Sequence, residues 1–489
     1  MLDAISILSA LVTGFLLVQA FDPVRMMEPR WAALLFRGAL GAATGMGLAS
    51  IVFFLLDVLG AATPAIIFSV DIAMLALFGW LSFRARRVPP PPLVPTAAAA
   101  GFRWSWLLAL AFGALLAISC VRLVQMAIAL PVGDWDAWAI WNLRAKFLAG
   151  PAGAWRFALS PLASAHPDYP LLLSGFVART WRAGGNMDPI VPPVTSLLFF
   201  GILLAFLVSA VALVRGTASG LLAGLVTLCT TSLLVWAPAQ YADIPLAVYY
   251  LGAIALLFVD AVRAPPSGHW PLFWAGLCTS FAAWTKNEGI VFLAIVGIVF
   301  CALSLWRRAG QTFSGAPWLL AGMVPGVLLM VWFKFFLAPA ADPLARQGAS
   351  GLLGVLVLNR YAEIASGFFT NLLNLGSGVT HPLILLAVLA ILMGRQVEER
   401  FRLTSIIAAT ALALVFLSYC AVLLVTPYGV AWQAQRSFDR LLLQVWPSVL
   451  LVSFVQLRRV QDAAAPPVKT SPTRKSKVLT GRSAAAKMK

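Results

Sequence analysis

Two aspartates flank a tryptophan in Pro131-Val132-Gly133-Asp134-Trp135-Asp136-Ala137-Trp138, directly after the apolar run 104–130. A carboxylate where a helix leaves a bilayer is hydrated enough to stay ionised and close enough to meet a lipid-borne substrate. Acids in or beside such spans cost roughly 2.5–3.5 kcal/mol at mid-bilayer and so point to function. Either Asp134 or Asp136 suits a general base that takes a proton from a hydroxyl. Four further polar islands follow: His166-Pro167-Asp168-Tyr169-Pro170, Gln240-Tyr241-Ala242-Asp243-Ile244-Pro245, Trp284-Thr285-Lys286-Asn287-Glu288-Gly289, and the stretch from Trp432 through Arg436 to Arg440. Lys286, Arg436 and Arg440 supply cations for a phosphate, which an arginine holds through two parallel hydrogen bonds. A base beside a phosphate clamp describes sugar transfer from a lipid phosphate. The base activates the acceptor, the sugar carbon passes through an oxocarbenium-like state, and the cations stabilise the departing phosphate.

The elements that must position these residues are membrane helices. With 61% hydrophobic and 11% charged residues and a mean hydropathy of +0.90, the chain is expected to be an all-α polytopic membrane protein. Spans are predicted near 4–20, 34–58, 62–83, 104–130, 190–214, 218–236, 242–262, 271–285, 288–306, 316–338, 380–394, 403–425 and 438–456, about 13 in all. The net charge of +17 does not indicate nucleic acid, because the basic residues collect in alternate loops. Arg25 and Arg30, Arg84, Arg86, Arg87 and Arg103, Arg263, Arg307 and Arg308, Arg395, Arg400 and Arg402, and the basic tail all fall on one side. The positive-inside rule makes that side cytoplasmic and places the N-terminus, and all five islands, outside. The first 20 residues lack a basic n-region and are expected to be an uncleaved span. A helix dipole alone favours Asp243 or Asp439 near a helix start. It explains each island singly, and five islands on one side less well.

Residues 1–83 read as an accessory three-helix segment. A Pro/Arg linker over 84–103 contains Pro89-Pro90-Pro91-Pro92 and separates that segment from a working module over 104–456. The module carries external loops at about 131–189 and 339–379. In the first loop Trp135, Trp138 and Trp141 form a helical stripe for the headgroups, with Arg144 and Lys146 facing water. The second loop is expected to hold another interfacial helix over 352–371. The tail, 457–489, is expected to be disordered, basic and cytoplasmic.

Several single residues have two readings. Arg122, inside the run 104–130, either snorkels to the interface or helps hold the donor phosphate. Asp71 is expected to be a hydrogen-bonded core group, and Lys334 to snorkel. Asp134 and Asp136 with Asp243 or Glu288 offer oxygen ligands to Mg²⁺ or Mn²⁺, but Asp-x-Asp is a weak signal and no metal or other cofactor is firmly implied. His166 lacks the companions of a zinc site. The five cysteines lie in apolar runs without ligand or disulfide spacing.

The order of the islands carries a resemblance. Asp134-Trp135-Asp136 resembles the acidic motif in the first large outer loop of GT-C superfamily membrane glycosyltransferases, within them the protein O-mannosyltransferase and lipid A aminoarabinose transferase group. His166-Pro167-Asp168-Tyr169-Pro170-Leu171 resembles the Tyr-Pro segment later in that loop. Tyr241-Ala242-Asp243-Ile244-Pro245 resembles the second acidic segment, Lys286-Asn287-Glu288-Gly289 the Lys-Gly turn, and Ser437-Phe438-Asp439-Arg440-Leu441-Leu442 the start of a late span. The resemblance covers about 104–456. It implies a GT-C-like fold, a polyprenyl-phosphate sugar as donor, a loop aspartate as base, and inversion on the extracytoplasmic face. Lys286, Arg436, Arg440 and Arg122 would then bind the donor phosphate, and His166, Asp168, Tyr169, Tyr241, Asp243 and Glu288 the substrates. The Asp-Trp-Asp spelling departs from the Asp-Glu of the mannosyltransferase branch, which leaves both aspartates open as the base.

The expected partners are this donor, an acceptor that is a lipid, a glycan or a protein, and membrane lipid, in a multi-pass plasma (bacterial inner) membrane with the site facing the periplasm or exterior. A polyprenyl-linked glycan flippase is the main alternative. It would spread charge along a path through the bilayer, whereas here charge collects at one face. A glycan polymerase or ligase acting on a lipid pyrophosphate shares the cation logic.

Overall fold

Water is absent from the hydrocarbon core, so each backbone polar group there must be satisfied within its own segment, and helices result. The computed structural model describes residues 1–25, 27–87, 105–160, 166–263, 268–306, 310–339 and 353–460. Among them the helices are α1 (Leu2–Ala20), α2 (Arg30–Val58), α3 (Pro64–Arg87), α4 (Ser105–Ala129), α5 (Asn142–Leu148), α6 (Trp155–Ala158), α7 (Leu172–Gly184), α8 (Val191–Arg215), α9 (Thr217–Leu228), α10 (Thr231–Trp236), α11 (Asp243–Val262), α12 (Trp270–Thr285), α13 (Asn287–Trp306), α14 (Gly310–Trp332), α15 (Leu358–Leu373), α16 (Pro382–Met393), α17 (Glu399–Val425) and α18 (Val430–Gln456). Most of the linker 84–103 and nearly all of the tail lie outside the described residues.

Ten of these helices are long and apolar enough to cross a membrane: α1–α4, α8, α11, α13, α14 with its continuation to Leu337, α17 and α18. The chain is a multi-pass helical membrane protein. The other three expected spans form shorter helices. The segment 218–236 breaks between α9 and α10, α12 has 16 residues, and α16 has 12. Helix α11 is the centre, with 89% of its apolar window buried against 11% for α4. It packs on α8, α12 and α18.

The first three helices buttress the large loop. Arg179 of α7 pairs with Asp71 of α3 at 2.5 Å and donates to Ser6 of α1, so Asp71 is the bonded core group expected. Arg182 pairs with Asp57 of α2 at 3.3 Å, and Ser50 Oγ donates to the Leu171 carbonyl. Two expectations for the loop need correction. Trp135 and Trp138 are exposed, but Trp141 is only 2% exposed. The helix opens into a wide π turn over Ala137–Trp141, which rotates position 141 inward. Arg144 does not face water. It is fully buried and donates to the carbonyls of Ala158, Pro167, Tyr169 and Pro170, tying the loop together. The interfacial helix expected in the second loop corresponds to α15, which exposes Leu358, Phe369 and Leu373 and packs on α18.

The candidate residues and the basic residues occupy opposite ends of α17 and α18. At the basic end Glu398 pairs with Arg215 at 2.7 Å and Arg459 at 2.8 Å, and Gln396 N–H donates to the Gln456 carbonyl.

Candidate functional site

Two tight turns set the geometry. Gly133, at φ +73°, turns the chain out of α4 where any side chain would collide with Ala137 and the Ala239 carbonyl. The turn then zips onto the segment before α11. Asp134 N–H donates to Ala239 O (3.2 Å), Asp136 N–H to Tyr241 Oη (3.0 Å), and Asn142 Nδ2 to Gln240 Oε1 (2.8 Å). Gln240 itself sits at φ +63°, a conformation costing on the order of 1–3 kcal/mol for a non-glycine residue. Its amide offsets that cost by donating to the Leu130 and Pro131 carbonyls at 3.3 and 3.2 Å. The second turn joins α12 to α13. Gly289 lies so close to the Ala282 carbonyl that no side chain fits, and Lys286 is left extended between the two helices.

Lys286 Nζ lies 2.9 Å from Asp243 Oδ1 and 2.9 Å from Glu288 Oε1. Gln444 Nε2 donates to the same Asp243 oxygen at 2.5 Å, and Tyr419 Oη donates to Gln444 Oε1 at 2.6 Å. Tyr250 Oη, 3.3 Å from Tyr419 Oη, donates to the Glu288 carbonyl. The second oxygens, Asp243 Oδ2 and Glu288 Oε2, are buried without a partner. Asp243 opens α11, where the helix dipole favours its charge.

Asp136 pairs with Arg440, whose guanidinium lies over the rings of Tyr241 and Trp236 at 5.1 and 5.7 Å. Burial pushes the Tyr241 hydroxyl up to about 12, so it stays a neutral donor and acceptor. Asp168 Oδ2 accepts from Asn287 Nδ2 at 2.8 Å and Lys334 Nζ at 3.2 Å. Burial opposes charge on Asp168, yet Asn287 and Lys334 outweigh it and hold the carboxyl below its ordinary range. His166 stacks on Tyr169, with ring centroids 4.5 Å apart, and Tyr169 stacks on Trp141 at 5.8 Å. Burial pulls the His166 imidazole below its ordinary value, which favours the neutral ring.

These groups surround a cavity of about 390 Å³ lined by Asp136, Trp141, His166, Asp168, Tyr169, Asp243, Lys286, Asn287, Glu288 and Arg440. Its rim includes Val291, Val422 and Tyr428, all exposed. Asp136, Asp168, Asp243 and Glu288 face Lys286, Lys334 and Arg440, so the cations are already matched by acids.

No family model matches the chain, and no curated protein or solved structure matches it. The chemistry therefore rests on the geometry. The structure brings together Asp136, His166, Asp168, Tyr169, Tyr241, Asp243, Lys286, Glu288 and Arg440. It leaves Asp134, Arg122 and Arg436 exposed and off the cavity lining. Asp134 accepts its neighbour's N–H from Trp135 at 2.7 Å, and Arg436 lies over Trp432 at 5.5 Å. Lys286 is held between two acids, whereas Arg440 is paired with one, Asp136. Of the oxygen set considered for Mg²⁺ or Mn²⁺, Asp134 and Asp136 with Asp243 or Glu288, Asp134 lies off the cavity lining and Asp136 is paired with Arg440. The Lys286 ammonium holds both Asp243 and Glu288, so these residues do not fit a divalent ion as arranged.

Lys334, expected to snorkel, instead donates to the Asp168 carbonyl at 2.5 Å and to Asn287 Oδ1 at 2.7 Å. Asn287, Tyr250, Tyr419 and Gln444 were also absent from the sequence-derived site. Gln444 had one available signal: an amide within Leu441-Leu442-Leu443-Gln444-Val445 is costly to bury unless it is bonded.

Proposed function

We propose that the chain is a membrane glycosyltransferase that moves a sugar from a polyprenyl-phosphate donor to an acceptor hydroxyl, with inversion, on the extracytoplasmic face. The observation that carries this reading is the cavity's two-sided character. Its floor holds charged pairs, and Val291, Val422 and Tyr428 stand exposed at its rim, on α13, on α17 and just beyond α17. Such a site suits an amphiphile whose head meets the charged floor while its chain stays in lipid. The concentration of basic residues at the opposite end supports the outward orientation.

In this reading Asp136 takes the proton of the acceptor hydroxyl. The acceptor oxygen forms a bond to the sugar carbon as the bond from that carbon to the phosphate oxygen breaks. The electron pair leaves on the phosphate, where Arg440 offsets the growing charge. One displacement inverts the carbon. Asp243 Oδ2 and Glu288 Oε2, acceptors without donors, suit the hydroxyls of the sugar, and the stack of Trp141, Tyr169 and His166 supplies a flat wall. Native mass spectrometry of the protein with polyprenyl phosphate tests the reading. Saturable binding that Arg440→Ala weakens supports it, and retention no better than that of a bulk anionic phospholipid counts against it.

A further inference from the structure

The base and the phosphate seat of the proposed reaction are each other's ion-pair partner. Asp136 and Arg440 both line the cavity, and Arg440 Nη1 holds Asp136 Oδ2. Arg440 Nε is buried without a partner, and its guanidinium lies over Tyr241 and Trp236. A ligand in the cavity therefore meets Arg440 at the Nη edge, where Asp136 already sits. Asp136 holds Nη1 of that edge, so a phosphate cannot take Nη1 and Nη2 in two parallel hydrogen bonds while Asp136 stays, and the two anions repel each other. The Asp136 main chain is fixed independently, because its N–H donates to Tyr241 Oη. Its carboxylate can turn away while its backbone stays in register.

We propose that the donor phosphate displaces Asp136 from Arg440, so that Asp136 becomes free to accept a proton only once donor is bound. The inference rests on the lipid-phosphate reading above and adds the order of events within the site. Donor binding exchanges one anion for another on Arg440, and the released carboxylate stays in the cavity that both residues line. Until donor binds, Asp136 stays paired with Arg440, which limits activation of stray hydroxyls or water before the sugar arrives.

Binding of polyprenyl phosphate to the full chain in lipid nanodiscs tests the exchange, with Asp136→Asn, Arg440→Gln and the double variant compared. If Asp136 competes for Arg440, Asp136→Asn tightens binding by about tenfold, and the same change in the Arg440→Gln background alters it by less than about twofold. Asp136→Ser, which removes the charge and leaves no amide to re-pair, must agree. Binding that is unchanged or weaker in Asp136→Asn overturns the exchange while leaving the phosphate reading intact. Equal tightening in both backgrounds also overturns it, since that is plain repulsion. No binding by the parent protein overturns the donor reading, and the exchange with it.

Discussion

The Lys286 ammonium stands 2.9 Å from a carboxylate oxygen of Asp243, with both side chains buried. Gln444 reaches the same oxygen, so one contact joins α11, the α12–α13 turn and α18. A buried pair adds little net stability when intact, but loss of one partner leaves an uncompensated charge. Lys286→Met, which strands both Asp243 and Glu288, is expected to cost about 3–5 kcal/mol and to lower Tm markedly in detergent. Glu288→Gln keeps Asp243 paired and is expected to cost less. Equal Tm values for Lys286→Met and the parent would show that the pair does not hold these elements together.

The two aspartates of the Asp134-Trp135-Asp136 motif should separate in function. Asp136 lines the cavity and Asp134 does not. Asp136→Asn is expected to slow transfer by about 10²–10⁴, the usual contribution of a general base. Asp134→Asn should stay near the parental rate. Single-turnover rates with one donor preparation distinguish the two, and the reverse ranking would move the base to Asp134.

His166 gives a pH dependence of stability. Burial places its folded-state pKa below the ordinary 6.5, so in that range the unfolded chain binds the proton more readily. Stability from this group is present above the unfolded value and is lost as pH falls through it toward the lower folded value. Tm is expected to fall on acidification from about pH 7 to 5, and His166→Asn should remove part of that fall. A variant with the same slope as the parent would show that His166 is not the group responsible.

Much of this arrangement was legible in the residues. Asp136, Asp243, Lys286 and Arg440 stand as charges at the ends of apolar runs, and the turn at Lys286–Gly289 was legible only through the resemblance to a Lys-Gly turn. Partnerships were not legible. Asp136 and Arg440 lie 304 positions apart, and nothing local says that the proposed base and a cation of the proposed phosphate clamp would pair. Trp141 and Arg144 misled for a local reason: a π turn changes the register on which helical periodicity depends. Lys334, in Trp332-Phe333-Lys334-Phe335, has the pattern of a snorkelling residue and is identified as part of the site only by its bonds to Asp168 and Asn287.

The proposed orientation rests on charge asymmetry and can be checked chemically. With the five native cysteines replaced, Asn186→Cys in the first loop should react with an impermeant thiol reagent in intact cells. Gln396→Cys, at the basic end, should react only after permeabilisation. The opposite pattern would place the cavity on the cytoplasmic side.

If Asp136 and Arg440 serve transfer from a lipid phosphate, turnover depends on both. Purified protein in nanodiscs, given polyprenyl-phosphate sugars extracted from its native membrane together with candidate acceptors, should release free polyprenyl phosphate as glycosylated product forms. Asp136→Asn should suppress that release by about 10²–10⁴ while donor still binds. Binding of the lipid sugar without release of polyprenyl phosphate, accompanied by its movement between leaflets in proteoliposomes, would contradict the account and make the chain a transporter.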